Sequence, residues 1–290
     1  MNDFILFARA HGLEIDSSRL MVGERVQRCG TIDKPRSTNG AYYWDGQRGW
    51  VFNWADEAKT HWFDDANAKP WTEAEKAAWK AKRAAAASSQ EADYRRAAAR
   101  AAEVIRETRP GTHDYLFRKG FPGAQGMVAK DGALVIPMRN MDTNELQGVQ
   151  FVRWAEDLRK WDKKMIPGMR AKGAVFRIGD AAAPETFLVE GYATGLSVAA
   201  ALRSVGLRAS VLITFSANNL VLVAPWVRGR AFVFADNDES GTGQRAAEAT
   251  KLPWCMSAVE GEDANDLHMR AGLMAVCQKI MEVRGRGTNE

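Results

Sequence analysis

"RAFVFADNDESGTGQRAAEA", residues 230–249, begins as an apolar run and ends in two aspartates, Asp236 and Asp238, one residue apart. A turn with Gly241 and Gly243 follows, then a helix-forming segment. The run is apolar at successive positions, as a strand covered on both faces must be. The chain around it repeats the pattern. "ETFLVEG" and "ASVLITF" read as strands, "YATGLSVAAALRSVG" and "NNLVLVAPWV" as helices, "WCMSAV" as a further strand, and "AGLMAVCQKIMEV" as a closing helix. Strands that alternate with helices need crossover connections. The expectation is an α/β fold with a mostly parallel sheet flanked by helices.

In such a sheet, functional groups gather beyond the carboxyl ends of the strands. Glu190 ends one strand, Asp236 and Asp238 end another, and Asp263 and Asp266 follow a third. Clustered carboxylates repel one another unless a cation compensates. Mg²⁺ takes one or two carboxylates and leaves room for substrate phosphates. The Asp-x-Asp spacing therefore suggests a metal platform, with Ser240 as the expected cap of the helix that starts near Gly241.

The order of these motifs resembles the Toprim domain shared by bacterial-type DNA primases, topoisomerases and some nucleases. "LVEGYATGLSVAAAL", "FVFADNDESGTGQRAAEA" and "GEDANDL" carry the resemblance, across residues 184–270. It implies Glu190 as an acid–base or ligand glutamate and Asp236 and Asp238 as the main metal ligands, with Asp263 and Asp266 completing the set. It also implies Mg²⁺ or Mn²⁺, with two ions, as cofactor. Two positions depart from replicative primases: Thr194 stands where a further carboxylate is expected, and Ala133 where a basic residue is, with Lys130 nearby.

The preceding zone, residues 111–183, reads as a mixed α+β basic subdomain. "GALVIPMRN", "LQGVQFVRWA" and "AVFRIGD" are expected strands, and "EDLRKWDKKMIPGMRAKG" a basic loop. This zone resembles the N-terminal half of the primase catalytic domain, closest to phage- and plasmid-encoded primases. The resemblance makes Arg139, Arg153, Lys163, Lys164, Lys172 and Arg177 candidates for nucleotide and template binding. Residues 65–110 are expected to be a connecting helix, begun by the capping box Thr72–Glu75 and stopped by Pro110.

Residues 1–64 are expected to be a small antiparallel β domain. A short opening helix is expected from Leu6, Ala10 and Leu13, and hairpin turns at "TNG" and "WDGQRGW". The position resembles the zinc ribbon of primases, yet Cys29 and His61 cannot make a ligand set, so no zinc is expected. Basic residues interleaved with aromatics can hold single strands. Arg28, Arg36, Tyr42 and Trp44 are the candidates for such contacts, with Trp50 and Trp54 assigned to the small core.

The chain has 290 residues, 46% of them hydrophobic, and a net charge of +4. That size supports one large core or two smaller ones. The three cysteines are far apart and form no CxxC pair, which argues against a disulfide framework. No signal peptide or membrane-spanning run is apparent, so a cytoplasmic setting is expected. The reading is a DNA primase that makes short RNA on single-stranded DNA from nucleoside triphosphates. The alternatives are a metal-dependent Toprim nuclease and a non-catalytic single-strand-binding replication protein. No GxxxxGK[ST] stretch occurs, so any helicase partner is expected to be a separate protein.

Overall fold

The computed structural model describes residues 3–23, 25–54, 59–65 and 71–286. Residues 66–70 of the expected connector and the tail 287–290 lie outside them. Contacts divide the chain into two compact units, Met1–Arg83 and Ala84–Glu290.

The first unit opens with α1 (Asp3–Ala10) and a five-stranded antiparallel sheet. Its strands are β1 (Leu13–Glu14), β2 (Gln27–Thr31), β3 (Gly40–Trp44), β4 (Arg48–Asn53) and β5 (Thr60–Asp64), paired in chain order. The turn at Asp45–Gly46–Gln47 is held by the Asp45 carboxylate, which accepts from the Gln47 and Arg48 amides. Phe4, Ala8, Leu13, Tyr42, Trp44 and Val51 form the core, with Phe4 stacked on Trp44 at 4.5 Å.

Four aromatic residues of this unit, Tyr42, Trp44, Trp50 and Trp54, sit otherwise than expected. Tyr42 and Trp44 are not on an open face: they are 3% and 4% exposed. Alternation along β3 puts both under α1, and the Tyr42 hydroxyl accepts from the Met21 amide. Trp54 is not core but 44% exposed, with the Arg28 guanidinium 3.8 Å from its ring centroid. Trp50 is half-buried. Leu13 lies beyond the expected helix, in β1, and Leu6 faces outward, since Phe4, Ile5 and Ala8 carry the buried side of α1. Arg36 is exposed.

The helix α2 (Glu73–Glu107) starts at the predicted capping box: the Thr72 amide donates to Glu75 and the Glu75 amide to the Thr72 hydroxyl. In the second unit its Ala97 and Ala101 are fully buried beside Val135, Val149 and Ile166. Small side chains let the helix lie close on a sheet.

That sheet has ten strands, β6 (Arg109–Gly111), β7 (Gly126–Val128), β8 (Leu134–Asn140), β9 (Leu146–Ala155), β10 (Lys160–Met165), β11 (Ala174–Ile178), β12 (Glu185–Val189), β13 (Ala209–Ile213), β14 (Arg230–Phe234) and β15 (Trp254–Cys255). Its main path runs β10-β9-β8-β11-β13-β12-β14-β15, with β7 beside β8 and β6 beside β7. Pairings from β10 to β13 are antiparallel; β12 pairs β13 and β14 in parallel, and β14 pairs β15 in parallel. The sheet is therefore mixed. Strand β11 joins its two parts, and one sheet runs through both zones 111–183 and 184–290.

The helices of this unit are α3 (Asp114–Arg118), α4 (Tyr192–Ser204), α5 (Ala217–Val223), α6 (Thr242–Thr250), α7 (Ala264–Ala271) and α8 (Leu273–Arg286). Phe187, Val189, Phe232 and Phe234 pack under α4, α7 and α8, while Leu188, Leu212 and Val233 face Leu220, Val223 and Ala247. Both faces are covered, which explains the unbroken apolar run 231–235. The expected basic loop is half wrong: its segment Lys160–Met165 is strand β10, paired with β9 from Lys160↔Ala155 to Met165↔Gln150. Among the described residues no helix is long and apolar enough to cross a membrane.

Candidate active site

Glu190 leaves the end of β12, and its carboxylate accepts from the Ala217 amide at the start of α5. Its backbone is fixed by the neighbouring strand end: the Thr214 amide donates to Val189 O at 2.9 Å and the Phe215 amide to Glu190 O at 2.9 Å. Phe215 takes φ +65°, which is costly for a bulky side chain and marks a constrained corner. Burial, and then the charge of Asp238, push the Glu190 carboxyl above its usual range.

Asp236 leaves the end of β14 and is the centre of the cluster. Burial, then the charges of Asp263 and Glu190, raise it to about 8, with Lys163 opposing and Asp238 adding. Its Oδ1 is buried with no hydrogen-bond partner. The fit behind it is tight. A Cβ on Gly243 would meet the Asp236 carbonyl oxygen at 2.2 Å, so only glycine lets α6 approach this backbone.

Asp238 is spent differently. Its carboxylate accepts from the amides of Ser240, Thr242 and Gly243, at 2.7 Å for Gly243, and from the Ser240 hydroxyl. Burial raises this carboxyl, but the hydrogen bonds outweigh it and hold the group below its usual value. Asp238, and not Ser240, therefore caps the α6 turn. Asp263 caps α7, accepting from the amides of Asn265 and Asp266. Asp266 closes the capping box and faces Lys119 Nζ at 3.4 Å.

Thr194 answers the first departure. It is fully buried and its hydroxyl donates to Asp263 Oδ2 at 2.9 Å. Where a carboxylate would add repulsion, a neutral donor satisfies one already present. Ala133, the second departure, is 1% exposed inside the sheet layer, where a basic side chain would be buried.

The cations separate by strand parity. On β10, Trp161 packs edge-on to Tyr115 at 5.3 Å, and Lys163 Nζ lies 5.7 Å from the same ring. The Lys163 ammonium feels Asp263, Asp236 and Asp266; burial of the charged end comes first among the causes that lower its pKa, although the side chain as a whole is exposed. Lys164 points the other way and pairs with Asp162 at 2.9 Å. Arg153, opposite Asp162 in register, pairs with Asp131 at 2.8 Å. Arg139 donates to Asn144 O, and half-buried Arg177 to the Ser210 hydroxyl at 2.8 Å. Lys172 is exposed. Of the six basic candidates, Lys163 is the one whose charge acts on the carboxylates.

Sequence reasoning missed Asn237, Lys119 and Tyr115. The Asn237 amide donates to Glu262 O and its side chain to Ser257 O, which ties the Asp236 loop to the one carrying Asp263. Its place between two aspartates was the available signal. Lys119 O accepts from the buried Asn265 side chain, so α3 is pinned beside α7.

The five expected ligands do not form one set. Among the described residues no group of three or more His, Cys, Asp and Glu side chains is arranged to hold a metal ion. Helix capping has taken Asp238, Asp263 and Asp266. Glu190 and Asp236 remain, with the unpartnered Asp236 Oδ1 and a raised pKa that a cation would lower. Two carboxylates suit a magnesium ion that keeps its waters and binds substrate phosphates, rather than an all-protein cage.

No family model and no curated protein matches the chain. Among solved structures it is similar to the DnaG catalytic core, with 16% identity, a TM-score of 0.36, and 58% of each chain covered. The chain thus spans little more than half of that structure's length.

Proposed function

We propose that this chain is a primase, a nucleotidyltransferase that joins nucleoside triphosphates on a single-stranded DNA template. The observation that carries the reading is Asp236. A buried carboxyl with an unpartnered oxygen, raised to about 8, ends a parallel strand with Glu190 near it and the Lys163 ammonium facing it. A site with unmet demand for positive charge, next to a cation that can meet phosphate, suits a metal-bound triphosphate. The motif order from Glu190 to Asp266 supports the same reading.

Bound Mg²⁺ or Mn²⁺ would be held by Asp236 and Glu190 and would supply the charge that stabilises the reacting phosphate. Lys163 donates hydrogen bonds to the triphosphate and holds it in place. Its flanking ring, Tyr115, and the strand pair β9–β10 keep the ammonium directed at the carboxylates. Glu190 has two alternative roles, a further ligand of the ion or, left unligated, the base that takes the 3′-hydroxyl proton as that oxygen attacks the α-phosphorus and pyrophosphate leaves. Positioning and electrostatics carry most of such a reaction.

The test is priming on a mixed single-stranded template library with labelled nucleotides and Mg²⁺ or Mn²⁺. Template-dependent products of a few nucleotides, lost in Asp236→Asn, are expected. Absence of incorporation on every template, with metal-dependent cutting of plasmid or single strands instead, would replace the primase with a nuclease.

A further inference from the structure

The outer edge of the second unit's sheet carries a groove that holds none of the candidate ligands or basic site residues above. It has a volume of 580 Å³ and lies between the chain 251–258 and helix α8. Strand β15 forms one wall. Its bonds to β14 use Pro253 O, which accepts from the Val233 amide at 3.0 Å, and Cys255 O, which accepts from the Ala235 amide at 2.8 Å. Backbone groups alternate in direction along a strand. Those of Trp254 and Met256 therefore point away from the sheet, where no strand of the described residues pairs with β15. An unpaired edge of this kind is a template for another chain.

The groove is also charged. Lys251, Lys279 and Arg286 line it against a single carboxylate, Glu282. Glu282 is already engaged, by Lys279 at 3.3 Å and by the Gln278 side chain at 3.0 Å. The surplus is positive. Two copies of this chain edge to edge would bring these cations together. A nucleic acid would meet the charge but not the strand-spaced amides and carbonyls.

We propose that this edge binds an extended acidic segment of another protein, which adds to β15 as a further strand and places its carboxylates on Lys251, Lys279 and Arg286. Main-chain hydrogen bonds give such a complex its affinity and side-chain pockets its selectivity. The inference does not depend on the catalytic reading, because the groove holds none of its residues.

The test uses the full chain and a fluorescein-labelled ten-residue peptide that alternates Asp with Val, followed by anisotropy. Saturable binding is expected, weakened about tenfold, the equivalent of about 1.4 kcal/mol, by Arg286→Glu or Lys251→Glu. The same peptide methylated at the amides of one edge should lose binding on the unaltered chain, which isolates the strand pairing without a variant that must fold. Met256→Pro, which deletes an outward N–H, should match that loss. Equal binding of the methylated peptide would overturn the proposal by reducing it to charge attraction. So would equal binding of an alternating Lys–Val peptide, or a concentration-dependent dimer of this chain abolished by Met256→Pro. Priming activity of Arg286→Glu should equal that of the unaltered chain, so failure of the groove and failure of the primase reading are separate results.

Discussion

Thr194 shows how one side chain redirects a cluster. Its hydroxyl is fully buried and points at Asp263, whose other oxygen is occupied by helix amides. Thr194→Val keeps the shape and removes the donor, leaving a carboxylate oxygen short of a partner. We expect a loss of about 1–3 kcal/mol in chemical denaturation, with Thr194→Ser close to the unaltered protein. Lys163 and Lys164 make a sharper contrast. Lys163→Met should lower priming about a hundredfold, the scale of losing one preorganised charge-stabilising donor, while Lys164→Met, on the Asp162 side, should leave it unchanged. Equal effects of the two would remove Lys163 from the site. The sequence made these residues legible as types but not as directions. Tyr42 and Trp44 illustrate the gap: their spacing says that they share a face, and only the packing of α1 decides that the face is buried.

Elements were legible where one rule acted alone. The apolar parallel strands β12, β13 and β14, and the capping box of α2, follow from pattern and cap chemistry. Strand β10 was not legible, because "KWDKKM" is charge-dense and owes its strand to a six-residue ladder with β9. The role of Asp238 was hidden for a different reason. The same Asp-x-Asp spacing serves a metal pair and a helix cap, and the local amides of α6 reach Asp238. The packing of α6 gives a test at this scale. Gly243→Ala would drive a Cβ into the Asp236 carbonyl, where backbone and not a flexible side chain must yield. We expect a stability loss of about 1–3 kcal/mol and a fall in priming, because the helix can retreat only by moving the Asp236 strand end. Gly206→Ala is a poor control, as its φ of +68° adds strain of its own. Gly285→Ala, late in α8 with open space at the Cβ, should leave priming unchanged and stability equal or up to about 1 kcal/mol higher, since alanine favours a helix.

At the scale of the whole molecule, the carboxylate site opposes stability as it enables chemistry. Folding raises Asp236 from the ordinary 3.8 to about 8, so the folded chain holds a proton that the unfolded chain releases. Its stabilising contribution is complete below pH 3.8 and fades as pH rises through about 8. Glu190 is shifted in the same direction and adds to the slope. Asp238 is shifted the other way, so its contribution is present above the ordinary value of 3.8 and is lost only as pH falls through its lower folded value, outside this window. In the absence of divalent ions, the second unit should therefore lose stability between pH 5 and 8, by at most about 1.4 kcal/mol per pH unit for one such group. Asp236→Asn, neutral at every pH, should flatten that profile and melt higher than the unaltered chain at pH 8 while abolishing priming. Millimolar Mg²⁺ at pH 8 should raise the melting temperature of the unaltered chain and leave the variant unmoved, since an ion that binds only the folded state stabilises it. A flat pH profile without metal, or an equal Mg²⁺ shift in the variant, would mean that Asp236 is not the group whose charge the site is built to receive.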